Sequence, residues 1–369
     1  MLDTDFFLIY ILTVMCYLLI LFLYLHHSSK KYLLDNFLGF SILFILFFHY
    51  SILMILMYNG AFWERFFLPS LFFTPLPIIL SVVIVFSIIV KIYYILKEKS
   101  RRNIKKENVI GKKRRKLNIR EWKPVNRDII RKLPHIIVFI SFFIIWSIGC
   151  SVVYSHTGNL YGMFPMESDL LFLFSSMYSD VSNIHFYLYT LGWFYFFLIM
   201  VLYCFAIITL FMEFTRKSKN FSFPLNFISM RLLKEEEKES YGTFLYFFIG
   251  HLFAATFLPP LPFFAIISMS SIGDLVASQV GMRTKHYPIK WNKNKCWEGT
   301  ISSTIVSFFL SYFFLGFIWA FLFAILFLII DIVIKKPLNA SDNLLIPICS
   351  TLLFLFLRFS GLIYYQFLY

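Results

Sequence analysis

The chain has 369 residues, 59% of them hydrophobic, 21% aromatic and only 15% charged, with a mean hydropathy of +0.75. A soluble domain carries about a quarter charged residues, so most of this surface faces something other than water and a soluble globular enzyme is excluded. The formal net charge is +14, and the stretch from Lys97 to Lys132 alone supplies +12, from 16 Lys/Arg against 4 Asp/Glu.

Apolar runs of about 18 residues or more read as membrane spans. In chain order they fall at 6–25, 37–58, 70–96, 133–153, 186–212, 243–258, 263–281, 299–317, 319–334 and 344–366. The fold class is therefore all-α, a polytopic transmembrane helix bundle of about ten spans. The first run, Phe6 to Leu25, is too long for a cleaved signal peptide and has no basic start, so it reads as a retained helix. Pro75 and Pro77 should kink the third span, and Pro259, Pro260 and Pro262 make a reversal between the sixth and seventh. The chain divides into an N-terminal three-span region (1–96), a basic loop (97–132) and a membrane-embedded core of about seven spans (133–369).

Orientation follows from the basic loops. A run as dense as 97–132 suits nucleic acid or anionic headgroups; between spans it marks a cytoplasmic loop touching membrane lipids, and no nucleic acid partner is expected. Residues 154–185 carry Glu167, Asp169 and Asp180 but no Lys or Arg, and lie outside. The segment 213–242 is mixed yet carries Arg216, Lys217, Lys219, Arg231, Lys234 and Lys238, and 283–298 is basic, which puts both termini on the external or lumenal side. The triplets Asn220–Ser222 and Asn339–Ser341 then lie inside and should carry no glycan. The membrane would be that of the endoplasmic reticulum in a eukaryote and the plasma membrane in a prokaryote. Cys16, Cys150, Cys204, Cys296 and Cys349 show no paired spacing, so neither a disulfide framework nor a zinc site follows.

Four polar clusters survive beside the apolar runs, all on the cytoplasmic side. The first, Arg127 to His135, holds Arg131, Lys132 and His135 where the basic loop enters the fourth span. Interfacial anchoring explains these residues as simply as a site does. The second runs from Ser271 to Gly281. Its Gly273, Ala277 and Gly281 form a small face for close helix packing, and Asp274 stands beside that face in an uncharged run. An intramembrane carboxylate with few basic partners points to a metal or a proton. The third, Arg283 to Thr300, carries Lys285, Lys290, Lys293 and Lys295 before Glu298. It suits a polyphosphate, although positive-inside charge and helix capping account for the same residues. The fourth is Asp331 followed by Asp342 and Asn343, which are also ordinary helix starters.

These clusters resemble the dolichol kinase, phytol kinase and CTP-dependent diacylglycerol kinase group, relatives of the CTP:phosphatidate cytidylyltransferases. The likeness rests on Arg131-Lys132…His135, Gly273-Asp274…Ala277…Gly281, Lys295-Cys296-Trp297-Glu298-Gly299-Thr300 and Asp342-Asn343-Leu344-Leu345-Ile346-Pro347, in the family's order. It covers about residues 127–350, and residues 1–120 carry none of it. Cys296 replaces the family's usual serine, Met282 to His286 replace a glycine-rich continuation, and Asp331 stands where an acidic residue is expected.

The resemblance implies CTP-dependent phosphorylation of a membrane lipid alcohol, with a polyprenol or dolichol preferred. It implies Mg²⁺ held by Asp274, Glu298, Asp342 and Asn343. Catalytic roles would fall to Asp274, Glu298 and His135, and the nucleotide would contact Arg131, Lys132, Lys285, Lys290, Lys295, Gly299 and Thr300. The alternatives are diacylglycerol as acceptor, a cytidylyltransferase making a CDP-lipid, and, from another class, an ion-coupled transporter using Asp274 and Asp331. Oligomeric state is not legible.

Overall fold

The computed structural model describes residues 2–26, 33–59, 124–158, 193–217, 241–284, 286–334 and 340–360, with a few isolated positions besides. The third predicted span, most of the basic loop and Lys285 lie outside the described residues. In chain order the elements are α1 (Leu2–His26), α2 (Leu33–Asn59), α3 (Pro124–Thr157), α4 (Trp193–Lys217), α5 (Thr243–Phe257) and α6 (Pro260–Ser268). A π-helical turn, Met269–Gly273, joins α6 to α7 (Asp274–Arg283). Strands β1 (Pro288–Ile289) and β2 (Asn292–Cys296) precede α8 (Trp297–Leu315), α9 (Phe317–Val333) and α10 (Asp342–Phe359).

These helices coincide with nine of the expected apolar runs, and five stretches are long and apolar enough to cross a membrane: Asp128–Ser155, Trp193–Lys217, Pro260–Arg283, Trp297–Leu315 and Asp342–Phe359. The all-α expectation needs one amendment, because the basic loop after α7 folds into an antiparallel hairpin pairing Pro288 with Cys296 and Ile289 with Asn292. Its basic side chains hid it: they read as a charged loop, while Ile289 alone is fully buried.

The burial pattern is that of a bundle solvated by lipid. Ile137, Ile140, Ile144 and Ile148 form an exposed apolar stripe along α3, and Ile301, Ile305, Phe309 and Phe313 do the same on α8. Water would penalise such stripes; hydrocarbon does not. Inside, aromatic rings fill the space between helices, with Phe264 meeting Phe143, Trp146, Phe194 and Phe314 at centroid distances of 5.3–5.9 Å.

Close crossings set the geometry. A Cβ on Gly299 would lie 2.6 Å from the Ala277 carbonyl oxygen, so only glycine lets the start of α8 approach α7 this nearly. The small face on α7 therefore does pack a helix, as its spacing implies. Gly316, at φ 77° and ψ −179°, takes a positive-φ extended conformation that is essentially confined to glycine and turns α8 directly into α9. At Gly250 a Cβ would lie 2.7 Å from the Asn343 carbonyl oxygen and 3.2 Å from Pro347, so α5 lies tight against the start of α10.

The N-terminal helices are not appended to a separate core. α2 packs on α5, and α1 packs on α2 and α4. Tyr241 donates from its hydroxyl to the Tyr24 carbonyl (3.1 Å), and Tyr24 donates to the Asn36 carbonyl (3.1 Å).

Candidate functional site

Helices that alternate in direction bring several ends to one pole of the bundle. The starts of α2, α3, α5, α8 and α10, the end of α9, β2 and the body of α7 surround a cavity of about 240 Å³. Asp35, Asp128, Arg131, Lys132, His135, Asp274, Ser278, Lys295, Thr300, Asp331, Asp342 and Asn343 all line it. Every one of the four polar clusters thus contributes to one cavity.

Asp274 is 6% exposed and anchored from α3: the Lys132 ammonium lies 2.8 Å from its Oδ2 and donates to its backbone carbonyl at 2.6 Å. Lys132 also donates to Ser278 Oγ at 2.9 Å. An ammonium has three N–H bonds, and these three partners use them all, so Lys132 fixes Asp274 in place. Ser278 in turn donates a hydrogen bond to Asp128 Oδ2 (2.6 Å), whose Oδ1 accepts one from Arg131 (2.9 Å). The π-helical turn sets the register of this wall. One extra residue in the turn rotates everything after it by roughly 100°, which separates the apolar register of α6 from the polar one of α7.

A second lattice faces it. Lys295 on β2 makes a short ion pair with Asp331 Oδ1 and lies 3.6 Å from Asp342 Oδ2. Thr300 donates to Asp331 Oδ2 at 2.5 Å. Burial works against the Lys295 charge, but Asp331, Asp342 and Asp274 together outweigh it and hold its pKa above the ordinary lysine value. Asn292 bridges the hairpin to the end of α9, donating to the Ile334 carbonyl at 3.2 Å, and this keeps β2 against the cavity.

The remaining wall is different in kind. His135 is 3% exposed and stacked on Phe247 (4.0 Å between centroids, 2° between planes), yet neither ring nitrogen has a hydrogen-bond partner among the described residues. Asp35 Oδ2, Tyr246 Oη, Ser341 Oγ and Asn343 Oδ1 are likewise buried and have no partner among the described residues, and all of these residues line the cavity.

Several expected site residues take other places. Glu298 does not line the cavity; its Oε1 accepts from the backbone N–H groups of His286 (3.0 Å) and Tyr287 (3.1 Å). The cause is helical geometry: residues two apart on a helix point roughly 200° from each other, so Thr300 facing the cavity turns Glu298 away. Gly299 serves the close crossing with α7 and is absent from the lining. Lys290 is exposed at the hairpin turn, away from the cavity. Conversely, Asp35, Asp128 and Ser278 enter the site, and Asp331 becomes the hub joining Lys295 to Thr300.

Of the residues expected to hold Mg²⁺, Asp274, Asp342 and Asn343 line the cavity and Glu298 does not. Among the described residues no three His, Cys, Asp or Glu groups cluster closely enough to cage an ion. Magnesium is usually held by one or two carboxylates together with substrate phosphates and waters, and two aspartates on one cavity fit that style of binding. The charge balance fits it too: five carboxyl groups line the cavity against Arg131, Lys132 and Lys295, an excess of two negative charges. Comparisons with family models, with curated proteins and with solved structures return no match.

Proposed function

We propose that this chain is a membrane-embedded kinase that transfers a phosphoryl group from CTP to a lipid alcohol, a polyprenol or dolichol in preference, at the cytoplasmic face. The observation that carries the reading is the convergence of four motifs, spread over more than two hundred residues, on one cavity at one pole of an apolar bundle. The topology that accompanies it has about ten spans, with both termini on the external or lumenal side. A cavity of 240 Å³ is smaller than the roughly 300–1,000 Å³ of pockets that enclose a whole ligand. It suits the reacting ends of two substrates, with the lipid tail left among the spans.

Phosphoryl transfer needs positive charge for the phosphates and an oriented nucleophile. Lys295 and Arg131 supply the charge, and Lys132 holds Asp274 rigid. Asp274 and Asp342, with Asn343, would hold Mg²⁺, which when bound would offset the charge of the phosphates. His135 offers an unpartnered ring nitrogen to the acceptor hydroxyl. The new bond forms between the alcohol oxygen and the γ-phosphorus as the bond to CDP breaks.

The test is purified chain with Mg²⁺, γ-labelled CTP or ATP, and a panel of prenols and diacylglycerol. Label should enter a prenol and CDP should accumulate; pyrophosphate in place of CDP identifies a cytidylyltransferase, and no labelled lipid defeats the kinase reading. Asp274→Asn should lower transfer by about a hundredfold or more, and the melting temperature should fall with it because Lys132 loses its partner charge. Asp342→Asn, whose cation is shared with Asp331, should lower transfer with a smaller loss of stability.

A further inference from the structure

Asp35 stands apart from every other carboxylate on the cavity. It lies in the first turn of α2, in the part of the chain that carries no motif, and is 1% exposed. Its Oδ1 accepts the backbone N–H of Ser341 at 3.1 Å, across 306 residues of sequence. Its Oδ2 is buried and unpartnered, and no cation pairs with it among the described residues. Asp128, Asp274, Asp331 and Asp342, by contrast, each have an Arg or Lys within 4 Å. A buried carboxylate oxygen without a donor is costly, and the fold holds this one rigidly. Tyr24 secures the turn through the Asn36 carbonyl, and Tyr241 secures Tyr24.

We propose that Asp35 is a substrate-binding residue, whose Oδ2 accepts a hydrogen bond from a hydroxyl group of a bound ligand. This rests on reading the cavity as the place where nucleotide and alcohol meet. In its ionised form Asp35 repels phosphate oxygens, so a hydroxyl is the partner that suits it. The neighbouring lining groups Tyr246, Ser341 and Asn343 are neutral and able to hydrogen-bond, as suits hydroxyl recognition. The two hydroxyl sources in the reaction are the ribose of the nucleotide and the head of the lipid alcohol. Helix α2 is accordingly part of the site, and the motif-bearing helices are incomplete without it.

The experiment uses Asp35→Asn in the full chain. The amide oxygen can still accept from Ser341, while its NH₂ places a donor where the ligand's hydroxyl needs an acceptor. The KM of one substrate should rise about 10- to 100-fold, the loss expected for a hydrogen bond to a charged group, with an unchanged melting temperature and a smaller change in kcat. A rise for CTP, with 2′- or 3′-deoxy-CTP treated alike by wild type and variant, assigns the ribose; a rise for the prenol alone assigns the lipid hydroxyl. An active variant with both KM values within about twofold of wild type overturns the proposal. Asp35→Ser serves in the same way if the Asn variant does not accumulate folded. If the wild type transfers no phosphate, the kinase reading fails separately, and ligand-induced thermal shift decides Asp35. A shift with CTP–Mg²⁺ or prenol that the variant loses supports the assignment; equal shifts in both, or none in either, overturn it.

Discussion

The two sides of the cavity are built on opposite electrostatic terms. On the side formed by α3, α7, β2, α8 and α9, each carboxylate already has its cation: Asp128 with Arg131, Asp274 with Lys132, Asp331 with Lys295. On the side formed by α2, α5 and α10, with His135 leaning on Phe247, polar atoms are buried without partners. The first side is complete in itself, so removing a member should damage the fold. The second is completed only by what enters, so removing a member should spare the fold and damage binding. Stability therefore rests mainly on the first side, while binding draws on both.

The largest effect that tests this contrast is Lys295→Met. Breaking a buried pair strands its partner charge, typically at about 3–5 kcal/mol, and Lys295 serves Asp331 and Asp342 at once. A melt in detergent should show a loss of that order, partly restored by adding Asp331→Asn. The pH dependence has a definite sign. The Lys295 pKa is raised, so its stabilising contribution is complete below the free-lysine value and fades only above the raised one. The gap between wild type and variant should be flat from about pH 7 to about pH 10. A gap that closes in that window would show that Lys295 is not paired as described.

On the other side the sign reverses. His135→Phe keeps the stack on Phe247 and removes two ring nitrogens that have no partner. Deleting unsatisfied buried polar atoms is neutral or stabilising by about 1–3 kcal/mol. The variant should melt at or above wild type while transfer falls tenfold or more, a typical loss for a group that orients a proton. A large drop in melting temperature would place His135 on the structural side.

Much of this arrangement is legible in the sequence, and the gaps have physical causes. Nine apolar runs read as helices because hydrocarbon demands long uninterrupted stretches, and Gly273, Ala277 and Gly281 announce a close crossing by spacing alone. Asp274, Asp342 and Asn343 reach the cavity because each starts or interrupts an apolar helix at the same pole. Asp35 is invisible by such reasoning. An acid in the first turn of a helix is an ordinary response to the helix dipole, and its partner Ser341 lies 306 residues away. Asp331 is visible as an acid, but not as the group that joins a lysine to a threonine. The π-helical turn has no local marker in Met269–Gly273. Its register shift is decided by packing between α6 and its neighbours.

The smallest predicted effect belongs to a residue that lies on neither side. Glu298 sits in a stretch that reads as part of the reaction centre, yet its carboxylate ties down the backbone of His286 and Tyr287 outside the cavity. Glu298→Gln keeps an oxygen able to accept those two N–H groups, and an amide accepts less strongly than a carboxylate. The hairpin should therefore loosen slightly, and amide exchange at 286 and 287 should quicken. Transfer should stay within about threefold of wild type, because a weakened neutral contact changes an equilibrium by only about that factor. A hundredfold loss of transfer with unchanged exchange would mean that Glu298 swings into the cavity during turnover. The cavity would then close around its ligands with a third acidic group from the start of α8, and the separation between structural and binding sides would hold only for the empty protein.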